Sequence, residues 1–458
     1  MTGTESMEEL RCYAASGQLG YGVPPETFQR GIAKKPHFIG ADMGSTDPGP
    51  FYLGSGKMGP GKQSARTDLE LLLLARQNLK IPLIIGSAGT AGGEPHLAAT
   101  LEIVQEIARA HDLHFRLAAI HGEIDKELIK KELRKGKIKP CGPVPDLTVP
   151  EVDKSIRIVA QMGPEPIRSA LEQGAEVVIA GRACDTSIFA AIPLMKGYDP
   201  GLVMHMAKII ECASLCAEPG GRDPMMGYLY PNSFVLESQH PGRKCTPVSV
   251  AAHCLYEQAD PERFYEPGGM VDLTHAQYKE MEAGRTKAWG AKWIPADPYT
   301  VKLEGVSRVG VRCVMLGGIA DPIMIGQIEE ITNQATQIIR GLLQKWISPA
   351  EYILNFRVYG RNGVNAYRKG EGEFVPREVF LLIDVVANDA ETARTICGVA
   401  KQNLLHFAYP GRLATGGNLA FPFSPPEILV GDTYRFNVYH LLEVADPLAL
   451  FPIDLYTV

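Results

Sequence analysis

Glu176-Val-Val-Ile-Ala-Gly-Arg-Ala-Cys-Asp185 is the stretch on which the fold turns. Val177, Val178, Ile179 and Ala180 form a continuous apolar run, which suits a parallel strand covered on both faces. The run opens directly into glycine, arginine and aspartate. In open parallel sheets, ligands bind just beyond the carboxyl ends of the strands. Arg182 and Asp185 stand where that rule puts a site. Arginine offers a planar fork for carboxylate or phosphate. Aspartate offers a base, an acid or a metal ligand. The competing reading is an Arg–Asp pair that fixes the strand-to-helix turn.

Working outward, the same strand-then-helix pattern repeats. His37-Phe-Ile-Gly40 reads as a strand ending at Asp42, followed by a helix over Asp68 to Gln77. Pro82-Leu-Ile-Ile85 reads as a strand ending in the turn Gly86 to Gly93, with a helix from about His96 to Ala110. Phe115 to Ile120 reads as a strand ending at His121 and Glu123, and Pro247 to Ala252 as a fifth ending at His253. The alternation predicts an α/β fold with a doubly wound, mainly parallel sheet. Asp42, Ser87, His121, Glu123, Arg182 and Asp185 then share one edge, where they line a single crevice.

The rest of the chain changes character. Asp260 to Ala296 is loop-rich and polar. Tyr299 to Leu316 reads as strands, and Pro322 to Trp346 as a strand and a long helix. Tyr352 to Tyr359, Val379 to Val386 and Tyr434 to Leu442 read as strands, and Asp389 to Phe407 as a helix capped by its aspartate. The expected division is an α/β domain over 1–304 and a smaller C-terminal α+β domain over 305–458.

Composition sets bounds. The chain has 458 residues, 45% hydrophobic and 21% charged, which is ordinary for a globular protein. A net charge of −6 argues against nucleic-acid binding, which needs a basic stripe. The basic run Lys126 to Lys139 has glutamates interspersed and reads as a solvated helix and a loop. No apolar stretch approaches the roughly 20 residues of a membrane span. Met1 to Leu10 is polar and acidic, unlike a secretory signal. Nine scattered cysteines fit a reducing cytoplasm better than a disulfide framework.

Several motifs admit two readings. The Gly86-Ser-Ala-Gly-Thr-Ala-Gly-Gly93 turn leads into a helix, so Ser87, Gly89 and Thr90 are candidate anion or CoA contacts; its spacing is neither a dinucleotide fingerprint nor a phosphate loop. The alternative is a plain tight turn. Asp42 and Asp47 are paired acids or turn residues. His205, Glu211, Cys212 and Cys216 lie on a helix starting near Gly201. The cysteines lack the second ligand pair that zinc sites use. Glu211, flanked by apolar residues, is a proton-transfer candidate if burial raises its pKa. Arg222 and Asp223 repeat the Arg/Asp chemistry in a glycine-rich loop. Cys184 beside Arg182 is a thiol with a lowered pKa or a packing residue. Arg412, in the loop Tyr409 to Asn418, is a second anion-binding candidate or a docking residue. A Gly-x-Ser-x-Gly elbow is missing, which disfavours hydrolases of that type.

Taken together, Val178-Ile-Ala-Gly-Arg-x-x-Asp185, Ile209-Ile-Glu-Cys-Ala213 and the stretch Thr246 to Leu273, with Leu255-Tyr-Glu and Asp260-Pro-Glu-Arg, resemble the acyclic terpene utilisation (AtuA-like) family. The similarity runs from Gly40 to about Val444. The Gly40 to Asp47 turn differs in detail from the family's, which implies a divergent subfamily acting on another small acid or acyl thioester. The resemblance implies catabolism of branched acids and their CoA esters. Some members carry an extra small ferredoxin-like domain or pair with a separate one. No such domain is obvious before Val458, so a small partner subunit is expected, along with a homo-oligomer.

The expectation is therefore a cytoplasmic enzyme with lyase or hydratase chemistry, abstracting a proton next to a carboxylate or thioester. Arg182 would bind the anion, Asp185 or Glu211 would move the proton, and Asp42 and His121 would complete the rim. A divalent metal, magnesium or manganese, would sit among Asp42, His121, Glu123 and Asp185. The rival is a non-catalytic subunit that binds an acid or CoA ester and supports a small partner.

Overall fold

The computed structural model describes residues 9–364, 376–413 and 415–458. The expectation for the amino terminus falls mostly on residues 1–8, outside the described residues, as does Ala414 of the Tyr409 to Asn418 loop. The chain forms two compact units. One is built from the chain up to Ser307 with Phe436–Val458, the other from Arg308–Arg435.

The first unit is organised on a ten-stranded sheet. Its spatial order is Gln277–Met281, Arg285–Trp289, Ser233–Ser238, Met225–Tyr230, Leu10–Ala14, Phe38–Asp42, Leu83–Gly86, Val177–Ala180, Arg116–Ile120 and Ile453–Thr457. The five strands from Leu10–Ala14 to Arg116–Ile120 are parallel to one another. The flanking strands run antiparallel, so the sheet is mixed with a parallel centre.

Both faces of that centre are covered, which explains its unbroken apolar runs. Ile39, Ile85, Val177 and Ile179 pack on one face against Leu69, Leu72, Leu97 and Val104, which belong to the helices Lys62–Leu79 and Glu94–His111. Ile84, Val178 and Ala180 pack on the other against Ile188, Phe189 and Val203, from Asp185–Met195 and Pro200–Ile210. The sheet is doubly wound.

Val177–Ala180 is inserted between Leu83–Gly86 and Arg116–Ile120. The helix after Leu83–Gly86 covers one face, and the helix after Val177–Ala180 covers the other. Adjacent strands whose following helices depart to opposite faces leave a crevice at their carboxyl ends. Ser87 and Arg182 stand at that point.

The structure corrects four sequence expectations. Pro247–His253 is a helix, not a strand: Thr246 and Ser249 form a capping box and Pro247 sits in the first turn, outweighing the β-branched residues. Pro322 to Trp346 contains no strand but the helices Pro322–Gly326 and Ile328–Leu343, the first capped by Asp321. Asp260 to Ala296 is not loop-rich; it holds five short strands, whose polar exposed faces hide the alternation. The helix Pro200–Ile210 stops before Cys212, and Cys216 ends a separate turn, Ala213–Cys216.

The second unit has its own core. Residues 311–319 of the strand Tyr299–Ile319 pair with Val379–Ala387, which pairs with Tyr352–Tyr359. The strand order Tyr352–Tyr359, Val379–Ala387, Tyr299–Ile319, Glu427–Val444, interleaved with two helices, is a split β-α-β arrangement. Ile331, Ile339, Ile396 and Ala400 cover one sheet face, against Met315, Leu381 and Ile383. Among the described residues no helix is long and apolar enough to cross a membrane.

Candidate functional site

The crevice edge is laced together by backbone. Gly181 N donates to Ile120 O (2.7 Å), Ser87 N to Gly181 O (3.0 Å) and Arg182 N to Gly92 O (3.0 Å). Such close approach explains the glycines. A Cβ on Gly181 would lie 2.6 Å from Gly122 N. One on Gly92, whose φ is +64°, would lie 2.2 Å from Arg182 N. No side chain fits either place.

Arg182 is almost fully buried, at 2% exposure. Its Nε donates to Glu304 Oε2 (2.8 Å), and its Nη1 to Ser87 Oγ (3.2 Å) and Ala183 O (2.8 Å). Glu304 also pairs with Lys302 (3.0 Å). Burial works against the guanidinium's charge, but Glu304 and Asp185 outweigh it and hold the proton more firmly than usual. For Glu304 the balance runs the same way: burial disfavours the carboxylate, yet Arg182 and Lys302 hold its pKa below the usual range. Arg182 is thus a fixed internal charge under the crevice. Its distance to Asp185 Oδ1 is 3.5 Å, an ion-pair contact.

Around that charge stand four acids. Asp42, 4% exposed, ends its strand and accepts from Gly44 N (2.6 Å) through Oδ2; its Oδ1 has no hydrogen-bond partner. Burial and then Asp185 push its pKa well up, against Arg182. Asp185 opens the helix Asp185–Met195 and keeps 32% of its side-chain surface open. The atoms packed around it still desolvate it. Its pKa rises to about 6, with Arg182 and Lys208 opposing the rise and Asp47 and Glu266 adding to it. Glu211 follows the helix Pro200–Ile210 and pairs with Lys208 at 2.5 Å, leaving Oε2 unpartnered. Burial raises its pKa well above the usual carboxylate value, although Lys208 pulls the other way. Glu266 accepts from Thr186 Oγ1 (2.6 Å) and Cys184 Sγ (2.7 Å), and burial raises it too. Burial and Glu266 push the Cys184 thiol up, so of its two readings the lowered thiol does not hold.

The remaining sequence candidates are placed elsewhere. His121 accepts or donates between Glu94 (2.9 Å) and Asp454 (3.1 Å). Glu123 accepts from Glu94 N (3.0 Å) and lies 3.7 Å from Arg157. These two form a group apart from Asp42 and Asp185. Among the described residues no three His, Cys, Asp or Glu side chains are placed to hold a metal ion. The four proposed metal ligands are therefore split between two groups.

Four backbone donors of the Gly86–Gly93 turn are engaged internally. Ser87 N, Ala88 N, Thr90 N and Gly92 N all bond to backbone carbonyls, and Thr90 Oγ1 donates to Met43 O (3.3 Å). Gly89, at φ +61°, accepts from Gly59 N. Arg222 is exposed, while Asp223 is buried and pairs with Arg243 (2.7 Å). Arg412 belongs to the second unit and donates to Gly416 O (2.5 Å), closing its own loop.

Sequence reading missed Lys208, Glu266, Glu304 and His253 as members of this surrounding. Lys208 had a signal: it stands three residues before Glu211, one helical turn away. His253 is 7% exposed, stacks on Tyr256 (5.4 Å, 7°) and has no hydrogen-bond partner at Nε2. Burial, then Lys208, lowers its pKa to about 4, so it is neutral at pH 7. Glu304 and Glu266 carried no local signal, since each arrives from a distant strand.

No curated protein and no solved structure matches the chain. The model of the family described as "Acyclic terpene utilisation family protein AtuA" matches residues 63–219 and 232–421. Those segments carry the Gly86–Gly93 turn, Arg182, Asp185, Lys208, Glu211 and Glu304, and together they cover most of the sequence. The chain belongs to the acyclic terpene utilisation family.

Proposed function

We propose that the chain is a catabolic enzyme for a small carboxylic acid or acyl thioester, working by proton abstraction next to the carbonyl in lyase or hydratase fashion. The observation that carries this is Asp185. It is a part-exposed acid beside the buried Asp42 and Glu211, and its pKa of about 6 lies where a general base is effective near neutral pH. Titratable groups whose pKa values are pushed apart within one site divide acid from base roles. Asp185 as carboxylate takes the proton. Asp42, whose proton burial and Asp185 hold firmly, supplies it to a departing hydroxyl, which leaves as water, while Glu211 is occupied with Lys208. The enolate-like charge that forms between the two steps lies near Lys208, whose ammonium Glu211 stabilises against burial. Arg182 acts from beneath by holding Asp185 and does not meet the substrate.

The family's description ties the chain to acyclic terpene utilisation, which suits a branched acyl group. The test is turnover of a panel of branched acids and their CoA thioesters, by wild type and Asp185→Asn. Loss of about 10²–10⁴-fold in kcat/KM with folding intact is expected. Equal turnover by both, or turnover only when a small partner protein is added and regardless of Asp185, contradicts this reading and favours a binding subunit.

A further inference from the structure

The orphan atoms of this site share one chemistry. Asp42 Oδ1 and Glu211 Oε2 are buried carboxyl oxygens without hydrogen-bond partners, and Asp42 and Glu211 are each 4% exposed. A buried polar atom left unpaired is costly, so a ligand that completes the site must satisfy them. A carboxyl oxygen accepts, and a carboxyl that keeps its proton also donates. The matching group on a ligand is one that does both, a hydroxyl. His253 Nε2 is a third unpartnered atom, on a ring fixed by stacking against Tyr256. A neutral imidazole nitrogen serves as donor or acceptor, according to tautomer.

The cations point the same way. Arg182 is committed to Glu304, Ser87 and the Ala183 carbonyl. Lys208 is committed to Glu211. Neither is left to neutralise an incoming carboxylate. A free acid placed beside Asp185 would bring its carboxylate against that of Asp185, which Asp47 and Glu266 already crowd as like charges. Like charges brought together at a recognition surface suppress binding.

We infer that the acyl group enters this site uncharged and hydroxyl-bearing, as a hydroxyacyl thioester, and that the free hydroxy acid is excluded. This rests on the acid–base reading of Asp185 given above. The hydroxyl donates to Glu211 and accepts from Asp42, which is also the source of the proton if that hydroxyl is to leave as water.

Three probes on one carbon skeleton test it with the full-length chain: a 3-hydroxyacyl N-acetylcysteamine thioester, the same thioester without the hydroxyl, and the free 3-hydroxy acid. This truncated thioester removes any help from the nucleotide part of CoA. Calorimetric titration should rank them in that order. The hydroxyl is expected to be worth on the order of tenfold in affinity, as for a hydrogen bond to a charged group. Asp42→Leu and Glu211→Leu should each shrink the hydroxyl's advantage, because an apolar side chain offers it no hydrogen bond, and Asp185→Asn should admit the free acid, because an amide removes the like charge. Two variants guard against one failing to fold. If the free acid binds as tightly as the hydroxyacyl thioester, the inference is overturned, while loss of turnover in Asp185→Asn would still uphold the acid–base reading. If no probe binds and turnover is indifferent to Asp185, both fall.

Discussion

Asp185 owes its place in the chemistry to its partial exposure and to a pKa near neutrality. Asp42, Glu211 and Arg182 are buried almost completely, whereas Asp185 keeps a third of its side chain open. Its pKa of about 6 is the outcome of burial acting against two cations. Arg182 sets that balance and has a second consequence. Removing it leaves Glu304, at 1% exposure, with Lys302 but without its buried partner, so Arg182→Met should cost about 3–5 kcal/mol in denaturant unfolding. Pairing it with Glu304→Leu should recover most of that loss, because two apolar groups replace both ions. Full loss persisting in the double variant would show that Arg182 does more than answer Glu304. The sequence made Arg182 and Asp185 visible because both lie within five residues of a strand end. It did not show that the guanidinium turns inward, since Glu304 lies 122 positions away.

Elements carry the second layer. Four of the five parallel strands were readable from their apolar runs, because burial on both faces leaves little room for polar residues. The fifth, Leu10–Ala14, passed unnoticed, as did the antiparallel flanks, whose mixed composition is that of half-exposed strands. Pro247–His253 misled because its β-branched residues advertise a strand while Thr246 and Pro247 start a helix. The glycines of the crevice are tested at this scale. Gly181→Ala pushes a Cβ into the Gly122 backbone and should destabilise by roughly 1–3 kcal/mol, as overpacking does, while displacing Arg182. Thermal unfolding of that variant should show the loss; an unchanged midpoint would mean the strand ends part easily. In the second unit, Ile383→Ala empties a fully buried position under two helices and should cost about 2–5 kcal/mol.

The carboxyl-terminal strand gives an element-scale test in pH. Burial alone would lower the His121 pKa, but Glu94 and Asp454 raise it above its ordinary value. A histidine held above its unfolded value stabilises fully below the unfolded pKa of about 6.5, and that contribution is lost as pH rises through the folded pKa. The stability difference between wild type and His121→Gln should therefore be larger at pH 6 than at pH 9, by about 1 kcal/mol or less because the groups are part-exposed. A difference that does not change with pH would mean that the charged form is not what holds Ile453–Thr457 near Glu94.

At the scale of the molecule, a doubly wound sheet brings distant parts of the sequence to one edge. Asp42, Asp185, Glu211, Glu266 and Glu304 come from five separate segments of the first unit, and an acid surplus at one place is the result. That convergence follows from strand order. Val177–Ala180 enters between two strands already laid down, and this insertion opens the crevice where Arg182 and Asp185 emerge. Alternation of strands and helices was enough to predict the edge. The order of strands was not legible, because nothing local to Val177–Ala180 says which neighbours it will have. His121 and Glu123 show the cost: they occupy a strand end as expected, yet belong to a separate polar group. The measurement that bears most directly on the account is the pH dependence of kcat/KM for wild type and Asp185→Asn on the acyl thioester that wild type turns over. The base must be ionised, so the wild-type profile should fall as pH drops below about 6, and Asp185→Asn should lose both the activity and that inflection. An inflection near 6 that survives in Asp185→Asn would contradict the assignment of Asp185 as the base.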